Sequence, residues 1–254
     1  MKKLNFIIKY GLALLLLSFY SCESWLNVTP SDRLSEEMLF NDREGFVKAL
    51  NGVYIELNTN ELYGRNLTAG ALDVMGQYYS VASSSHAFYN YGGLVYTGND
   101  EKALFDNMWQ KCYAVIACCN TIIEKCDENK AGLSPVWKGS IKGEALALRA
   151  MLHFDMLRLF GPLTSELDKE SIPYQTNSDQ TVTPLLSGSE VIGLILDDLK
   201  NAVGLLKDTD PYFVEEEFSD TDLNYRRFRM NYFAAKGLMA RVQLWGGDKE
   251  KAAA

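Results

Sequence analysis

Apolar residues recur with helical spacing through nearly all of the sequence after residue 40. After Asp42, for example, Phe46, Leu50, Val53 and Leu57 follow one another at intervals of three and four, which places them on one face of a helix. No segment shows a convincing alternation of apolar and polar residues, the pattern expected of a half-buried strand. We therefore expect an all-α protein.

Capping residues, prolines and glycines divide this pattern into helices. Asp42 and Asn99 are suitable N-cap residues, and Pro135 directly after Ser134 marks the start of a helix that stops at Gly161. Two stretches rich in glycine, proline, serine and asparagine, 78–98 and 162–186, predict long loops. We expect helices at 42–57, 99–125, 134–160, from Ser189 to about 206 and 230–245, and a weaker one at 62–75.

Two of these helices resemble each other. Leu146–Ala150 aligns with Leu238–Val242, and the residues after Ala240 have the helix–glycine turn–helix pattern of a tetratricopeptide (TPR) repeat. The spacing between the copies is irregular. We therefore expect TPR-like stacked helical hairpins with long loop insertions, and a generic helical bundle is the alternative.

Small residues form a stripe on the predicted helix 134–160. Gly139, Gly143 and Ala147 recur every four residues, so they lie on one face of that helix. This stripe predicts the close approach of a neighbouring helix.

The N-terminus has the features of an export signal. Lys2 and Lys3 precede an apolar run that ends near Leu17, and Cys22 follows Ser21. We predict that residues 1–21 are a lipoprotein signal peptide and that acylated Cys22 begins a mature domain, 22–254. The alternatives are an ordinary secretory signal or an uncleaved anchor, but a membrane span needs about 20 apolar residues and this run is shorter.

The charge balance argues against nucleic acid as a partner. The chain has 33 acidic and 25 basic residues, a net charge of −8. Phosphate binding needs clustered Lys and Arg, and the one basic cluster, at 226–229, lies next to an acidic stretch in the sequence. We expect this cluster to be neutralised locally.

The cysteines after Cys22 all fall in the predicted helix around residues 112–126. Positions seven apart on a helix are separated by about 10.5 Å, which is too far for a disulfide. Neither His86 nor His153 is placed to complete a zinc site. We therefore interpret Cys112, Cys118, Cys119 and Cys126 as core thiols and expect no cofactor.

The sequence lacks the motifs of common catalytic sites, including the GxSxG, HExxH and P-loop patterns. Asp197 and Asp198 are expected at a solvated helix edge, and Glu144 and Arg149 are expected in an ion pair between packed helices. The chain is therefore not expected to be an enzyme.

Aromatic residues are concentrated in the loop 78–98, among serine, asparagine and glycine. Sugars combine apolar C–H faces with many hydroxyls, and tyrosine offers both a flat ring and a hydroxyl. The loop is therefore a candidate carbohydrate platform, although its rings could instead be buried beneath the loop as a cluster. The candidate ligand-binding residues are Tyr78, Tyr79, Phe88, Tyr89, Tyr91 and Tyr96.

Several motifs in order resemble the SusD/RagB family of outer-membrane nutrient-uptake lipoproteins. They begin with Cys22 followed by Trp25–Pro30, and the most specific is Gly143–Ala145 with Leu148–Ala150, His153–Phe154 and Phe160–Pro162. The others are Phe40 with Glu44–Phe46 and Ala49–Tyr54, Trp109 with Tyr113, Ile116, Cys119–Asn120 and Ile123, Ile172–Tyr174, Ile195 with Asp198–Leu199 and Ala202, and Ala240–Val242.

The resemblance implies a TPR-like domain that is lipid-anchored at the surface of the outer membrane. It also implies a partner, a SusC-like TonB-dependent transporter, to which the lipoprotein passes oligosaccharide or polysaccharide ligands. The alternative function is a structural TPR-like adaptor of the transporter complex that binds no ligand.

Members of this family are usually about twice as long, and Asp248 opens a helix that is not continued. We therefore expect the domain to be incomplete at its C-terminus. The apolar side of the helix 230–245, including Leu238, Val242 and Trp245, would then be partly uncovered.

Overall fold

The structure is a computed structural model that describes residues 36–179, 181–219 and 225–253, so the predicted signal peptide and Cys22 lie outside the described residues. The chain divides into a short unit, Met1–Met38, and a main unit, Leu39–Ala254, and every contact given below lies within the main unit. In chain order the elements are α1 Glu36–Leu39, α2 Arg43–Leu57, α3 Ala71–Met75, α4 Tyr89–Gly92, α5 Asn99–Glu128, α6 Pro135–Phe160, β1 Glu170–Pro173, β2 Leu185–Ser187, α7 Gly188–Thr209, α8 Tyr232–Trp245 and α9 Lys249–Ala252, with 3-10 turns at Thr164–Glu166 and Glu215–Glu217.

The long helices pack in sequence order. Helix α5 packs against α6, α6 against α7, and α7 against α8, while α2 lies against both α5 and α6. Helix α6 is central, and residues on nearly all of its sides are buried. The expected TPR-like stack of helical hairpins is confirmed.

Two of the expected helix starts are confirmed by their side-chain caps. The Asp42 carboxylate accepts a hydrogen bond from the Gly45 N–H at 2.8 Å, and the Ser134 hydroxyl accepts one from Trp137 at 3.3 Å. Three predicted N-termini are wrong by one or two residues. Gly98 rather than Asn99 is the cap of α5, Ser187 caps α7 in a reciprocal pair with Glu190, and Asn231 caps α8.

The weaker helix expected at 62–75 is mostly absent. Consecutive turns occupy residues 58–70, and only Ala71–Met75 is helical. The loop 162–186 also differs from expectation, because β1 and β2 form a two-stranded antiparallel sheet there. Strands of four and three residues are too short to show an alternating pattern in the sequence.

The small-residue stripe on α6 lies against α7. A Cβ atom on Gly143 would come within 2.8 Å of the Leu206 Cγ atom, and one on Gly139 within 2.6 Å of the Thr209 Cγ2 atom. The expected close approach of two helices is therefore confirmed. On α8, Leu238 and Val242 are buried, so the expectation of uncovered apolar residues is wrong for these two, whereas Trp245 is only partly buried.

A buried ion pair joins α6 to α7. The Arg149 guanidinium donates from Nε and Nη2 to the two carboxylate oxygens of Asp198, both at 2.7 Å, and its Nη1 donates to the Asn120 Oδ1 atom on α5 at 2.8 Å. The Tyr174 hydroxyl, just after β1, donates to the same carboxylate at 2.5 Å. Asp198 is therefore not at a solvated edge, and Arg149 pairs with it rather than with Glu144.

His153 fixes the chain that follows β1. Its Nε2 atom accepts a hydrogen bond from the Gln175 backbone N–H at 3.0 Å, so the ring proton lies on Nδ1 and is donated to the Arg149 carbonyl oxygen at 2.9 Å. Burial lowers the pKa of His153 to about 3, so the ring is neutral at physiological pH.

A second buried cluster holds the segment before α8. Arg226 donates to Asp210 from Nε at 3.0 Å and from Nη2 at 2.6 Å, and it also pairs with Glu144 on α6. Glu144 also accepts hydrogen bonds from Arg229 at 2.8 Å and from the Tyr54 hydroxyl. Arg226 is therefore neutralised, as expected, and its carboxylate partners among the described residues are Asp210 and Glu144.

Three of the four cysteines of α5, Cys112, Cys119 and Cys126, are buried. Cys118 is exposed, so the interpretation as a core thiol is wrong for that residue. Adjacent positions on a helix are about 100° apart, and therefore Cys118 points away from the face that carries Cys119.

We predict that the substitution Asp198→Ala strongly destabilises the fold, because it leaves the buried Arg149 guanidinium without its counter-ion. The expected loss in the free energy of unfolding is about 3–5 kcal/mol, measured by urea denaturation. Asp197→Ala is the matched control, since Asp197 is exposed and pairs with Lys200 on the surface. The control should cost no more than about 1 kcal/mol, and equal losses in the two variants would contradict a dominant role for the buried pair.

Candidate functional site

The aromatic loop begins where α3 ends. Gln77 adopts a positive φ of 61°, which turns the chain, and its side-chain amide donates to the Gly92 carbonyl oxygen at 2.9 Å. Leu94 also adopts a positive φ, 56°. Backbone conformations of this kind are uncommon for residues other than glycine and are often found at binding sites.

The end of the loop is attached to the first turn of α5. The Asn90 side-chain amide donates to the Glu101 carboxylate at 2.7 Å, and this hydrogen bond is the main cause of the lowered pKa of Glu101. A Cβ atom on Gly98 would lie 2.0 Å from the Glu101 Oε2 atom. A larger residue at position 98 would therefore require this carboxylate to move from the position in which it reaches the loop.

Aromatic rings support the loop from below. Tyr91 is 2% exposed and its ring meets those of Phe88 and Phe105 edge-on, with centroids 5.8 Å and 6.0 Å away. Phe105 continues the contact to Phe160 at the end of α6, and Tyr96 packs against Phe105. These rings fix the loop to the long helices and leave little freedom for its backbone.

Two open depressions meet at residues 79–81. Tyr79, Ser80 and Val81 line both of them. The first, about 520 Å³, is completed by residues that include His86 and Phe88, and the second, about 430 Å³, by residues that include Tyr89 and Asn90.

The six predicted residues fall into three groups. Tyr79, Phe88 and Tyr89 line the depressions, and Tyr79 and Tyr89 expose 52% and 42% of their surface. Tyr78 is 80% exposed but lines neither depression. Tyr91 and Tyr96 belong to the supporting cluster, so the prediction that Tyr91 presents its ring to a ligand is corrected by its burial.

Sequence reasoning missed several lining residues. The depressions are also lined by side chains with hydrogen-bonding groups: Gln77, Ser80, Ser83, His86 and Asn90. Small polar residues are common in loops, so no signal in the sequence distinguishes these from others. Only their position relative to the rings identifies them.

The side chains of the two depressions have chemistry suited to binding. Flat rings next to amide and hydroxyl groups can pack on apolar C–H surfaces while hydrogen-bonding to hydroxyls. Within the described residues, no group of three or more His, Cys, Asp and Glu side chains could hold a metal ion. None of the helices in the described part of the chain is long and apolar enough to span a bilayer.

A family model, described as SusD-like and "starch-binding associating with outer membrane", matches residues 24–244. The chain belongs to the SusD-like family. A similar curated relative is SusD-like protein P2 of Formosa agariphila, which is 25% identical over 99% of this chain and 44% of its own length. A SusD-like protein of Bacteroides ovatus is 30% identical over 56% of this chain and 23% of its own length.

Solved SusD-like structures share the fold. A SusD-like carbohydrate-binding protein of Bacteroides vulgatus superimposes with a TM-score of 0.65 at 23% identity, covering 84% of this chain and 43% of that one. A laminarin-binding SusD-like protein gives 0.61 at 17% identity, covering 84% and 42%. This chain therefore spans less than half the length of these SusD-like proteins.

We predict that Asn90→Ala loosens the loop, because it removes the hydrogen bond to Glu101. Amide hydrogens of residues 88–93 should exchange several-fold faster with solvent than in the unsubstituted protein, as measured by hydrogen exchange. Asn107→Ala, an exposed position on α5, is the control and should leave the exchange of this loop unchanged. Unchanged exchange in the Asn90 variant would mean that this hydrogen bond does not hold the loop.

Proposed function

We propose that this chain binds glycans without catalysis, at the two depressions around Tyr79. The observation that carries the proposal is the pair of exposed rings, Tyr79 and Tyr89, beside polar side chains of the same depression. The loop that bears these rings is held by the hydrogen bonds of Gln77 and Glu101. A preorganised site loses less conformational entropy on binding. The starch-binding description of the family and the laminarin-binding neighbour support a carbohydrate ligand.

We further propose that the chain acts as part of a surface lipoprotein, anchored in the outer membrane through acyl chains on Cys22. In this proposal a SusC-like TonB-dependent transporter is the partner that receives the glycan. The family's association with the outer membrane supports the location. The alternative, an adaptor of the transporter without ligand contact, would have the same anchor and partner but no glycan affinity.

The rings of the depressions provide the test of glycan binding. Tyr79→Ala and Tyr89→Ala should each weaken binding of the best ligand from a panel that includes soluble starch and laminarin oligosaccharides. A stacking ring contributes about 1 kcal/mol, so the dissociation constant measured by calorimetry should rise about fivefold. Both side chains are exposed, and therefore the melting temperature should change little.

Tyr212→Ala is the matched control, because Tyr212 is 43% exposed and lies outside both depressions. Its affinity should equal that of the unsubstituted chain. A panel in which no glycan binds would favour the adaptor, whereas full affinity in both loop variants would place the glycan site elsewhere.

The anchor has its own test. When the chain is produced in a bacterium with an outer membrane, mass spectrometry of the mature N-terminus should find an acylated cysteine derived from Cys22. Cys22→Ala should move the protein from the membrane fraction to the soluble fraction. An unmodified N-terminus at another residue would contradict the proposed anchor.

A further inference from the structure

A smaller cavity of about 200 Å³ lies between α2, α6 and the segment before α8. Its walls include Asn51 from α2, Trp137, Ser140 and Glu144 from α6, and Arg229. It shares no lining residue with the depressions of the aromatic loop.

Two hydrogen-bond donors of α6, on residues that are mostly buried at this cavity, have no partner among the described residues. Ser140 is 5% exposed and Trp137 is 9% exposed, and neither the Ser140 hydroxyl nor the Trp137 indole N–H makes a hydrogen bond to any described residue. In the described part of the chain, every side-chain N or O atom that is fully closed off has a partner. These two groups must therefore reach accessible space, and both residues line the cavity.

The other polar side chains of the cavity wall can both donate and accept hydrogen bonds. The Asn51 Oδ1 atom accepts one hydrogen bond, from Arg229 at 2.6 Å, and its amide N–H groups have no partner among the described residues. The Glu144 Oε2 atom accepts from Arg226 alone. Each of these oxygens has two lone pairs, so both retain the capacity to accept a hydrogen bond from a hydroxyl.

The cavity gives no reason to favour a charged ligand. The two arginines near it, Arg226 and Arg229, are balanced by Glu144 and by Asp210 behind it. An apolar part of the wall comes from Val47, Leu50 and Ile141. A neutral ligand with several hydroxyls and an apolar C–H face is complementary to such a surface.

The volume limits the size of the ligand. A space of 200 Å³ equals about six or seven water molecules at roughly 30 Å³ each, which is the scale of one sugar ring. Sites for drug-sized ligands are larger, about 300–1,000 Å³. We propose that this cavity binds one neutral pyranose ring, held by Trp137, Ser140 and Asn51.

The test is a titration of the purified chain with glucose, galactose and mannose, followed through the indole N–H signal of Trp137 in a ¹H–¹⁵N spectrum. The signal is assigned by its absence in Trp137→Phe. At least one hexose should shift this signal saturably, and Ser140→Ala should raise the dissociation constant about 3- to 10-fold, as expected for one hydrogen bond. Asn51→Ala, at an exposed position, should weaken binding as well.

Ser165→Ala, at an exposed serine outside the cavity, should bind as the unsubstituted chain does. Tyr79→Ala should also leave this titration unchanged, so the cavity and the aromatic loop are tested separately. The proposal is overturned if no hexose shifts the Trp137 signal, in which case the cavity holds water only. Equal affinities in the Ser140 and Ser165 variants would overturn it too.

Discussion

The guanidinium of Arg149 lies inside the helical stack, and its pairing with Asp198 determines where three parts of the chain can lie. Asp198 belongs to α7, and two further residues bond directly to the ion pair: Asn120 of α5 and Tyr174 of the segment after β1. A buried charge is tolerated only when its hydrogen bonds are satisfied. The arrangement is therefore specific, because another packing of α7 on α6 would leave the buried Arg149 guanidinium without its carboxylate partner.

Long connections are attached to helix α6 by polar contacts at two levels. In its C-terminal half, His153 binds the chain after β1 directly, and Arg149 does so through its ion-pair partner Asp198. One level closer to its N-terminus, Glu144 binds Arg226 and Arg229 from the segment before α8. These two connections can thus be long and still be fixed, because buried polar groups tie them to the helical stack.

The aromatic loop is held by a different means. Its rings contact Phe105 of α5, and Phe105 in turn contacts Phe160 at the end of α6. The position of the loop therefore follows from the same helices that the ion pairs align. This arrangement allows Tyr79 and Tyr89 to be exposed while Tyr91, two residues further on, is buried. Within one loop, buried rings therefore hold the backbone in place and exposed rings face the solvent.

The sequence predicted the helices well because their apolar spacing and caps are local signals, as at Asp42 and Ser134. The small-residue stripe also predicted the close contact of α6, although not its partner helix. The sequence could not show that Asp198 is buried, since its neighbours on the helix look the same for an exposed and a paired carboxylate. Nor could it separate Tyr91 from Tyr89, because the burial of a loop residue depends on distant elements such as Phe105.

The proposed glycan site lies across residues 79–81, between the two depressions. It is tested most directly by hydrogen exchange of the purified chain with and without a saturating oligosaccharide from the starch or laminarin series. With the oligosaccharide bound, we expect the backbone amides of residues 79–83 and 88–95 to exchange more slowly and those of α7 and α8 to exchange at an unchanged rate. Protection confined to another part of the chain, under conditions in which the oligosaccharide is bound, would contradict it.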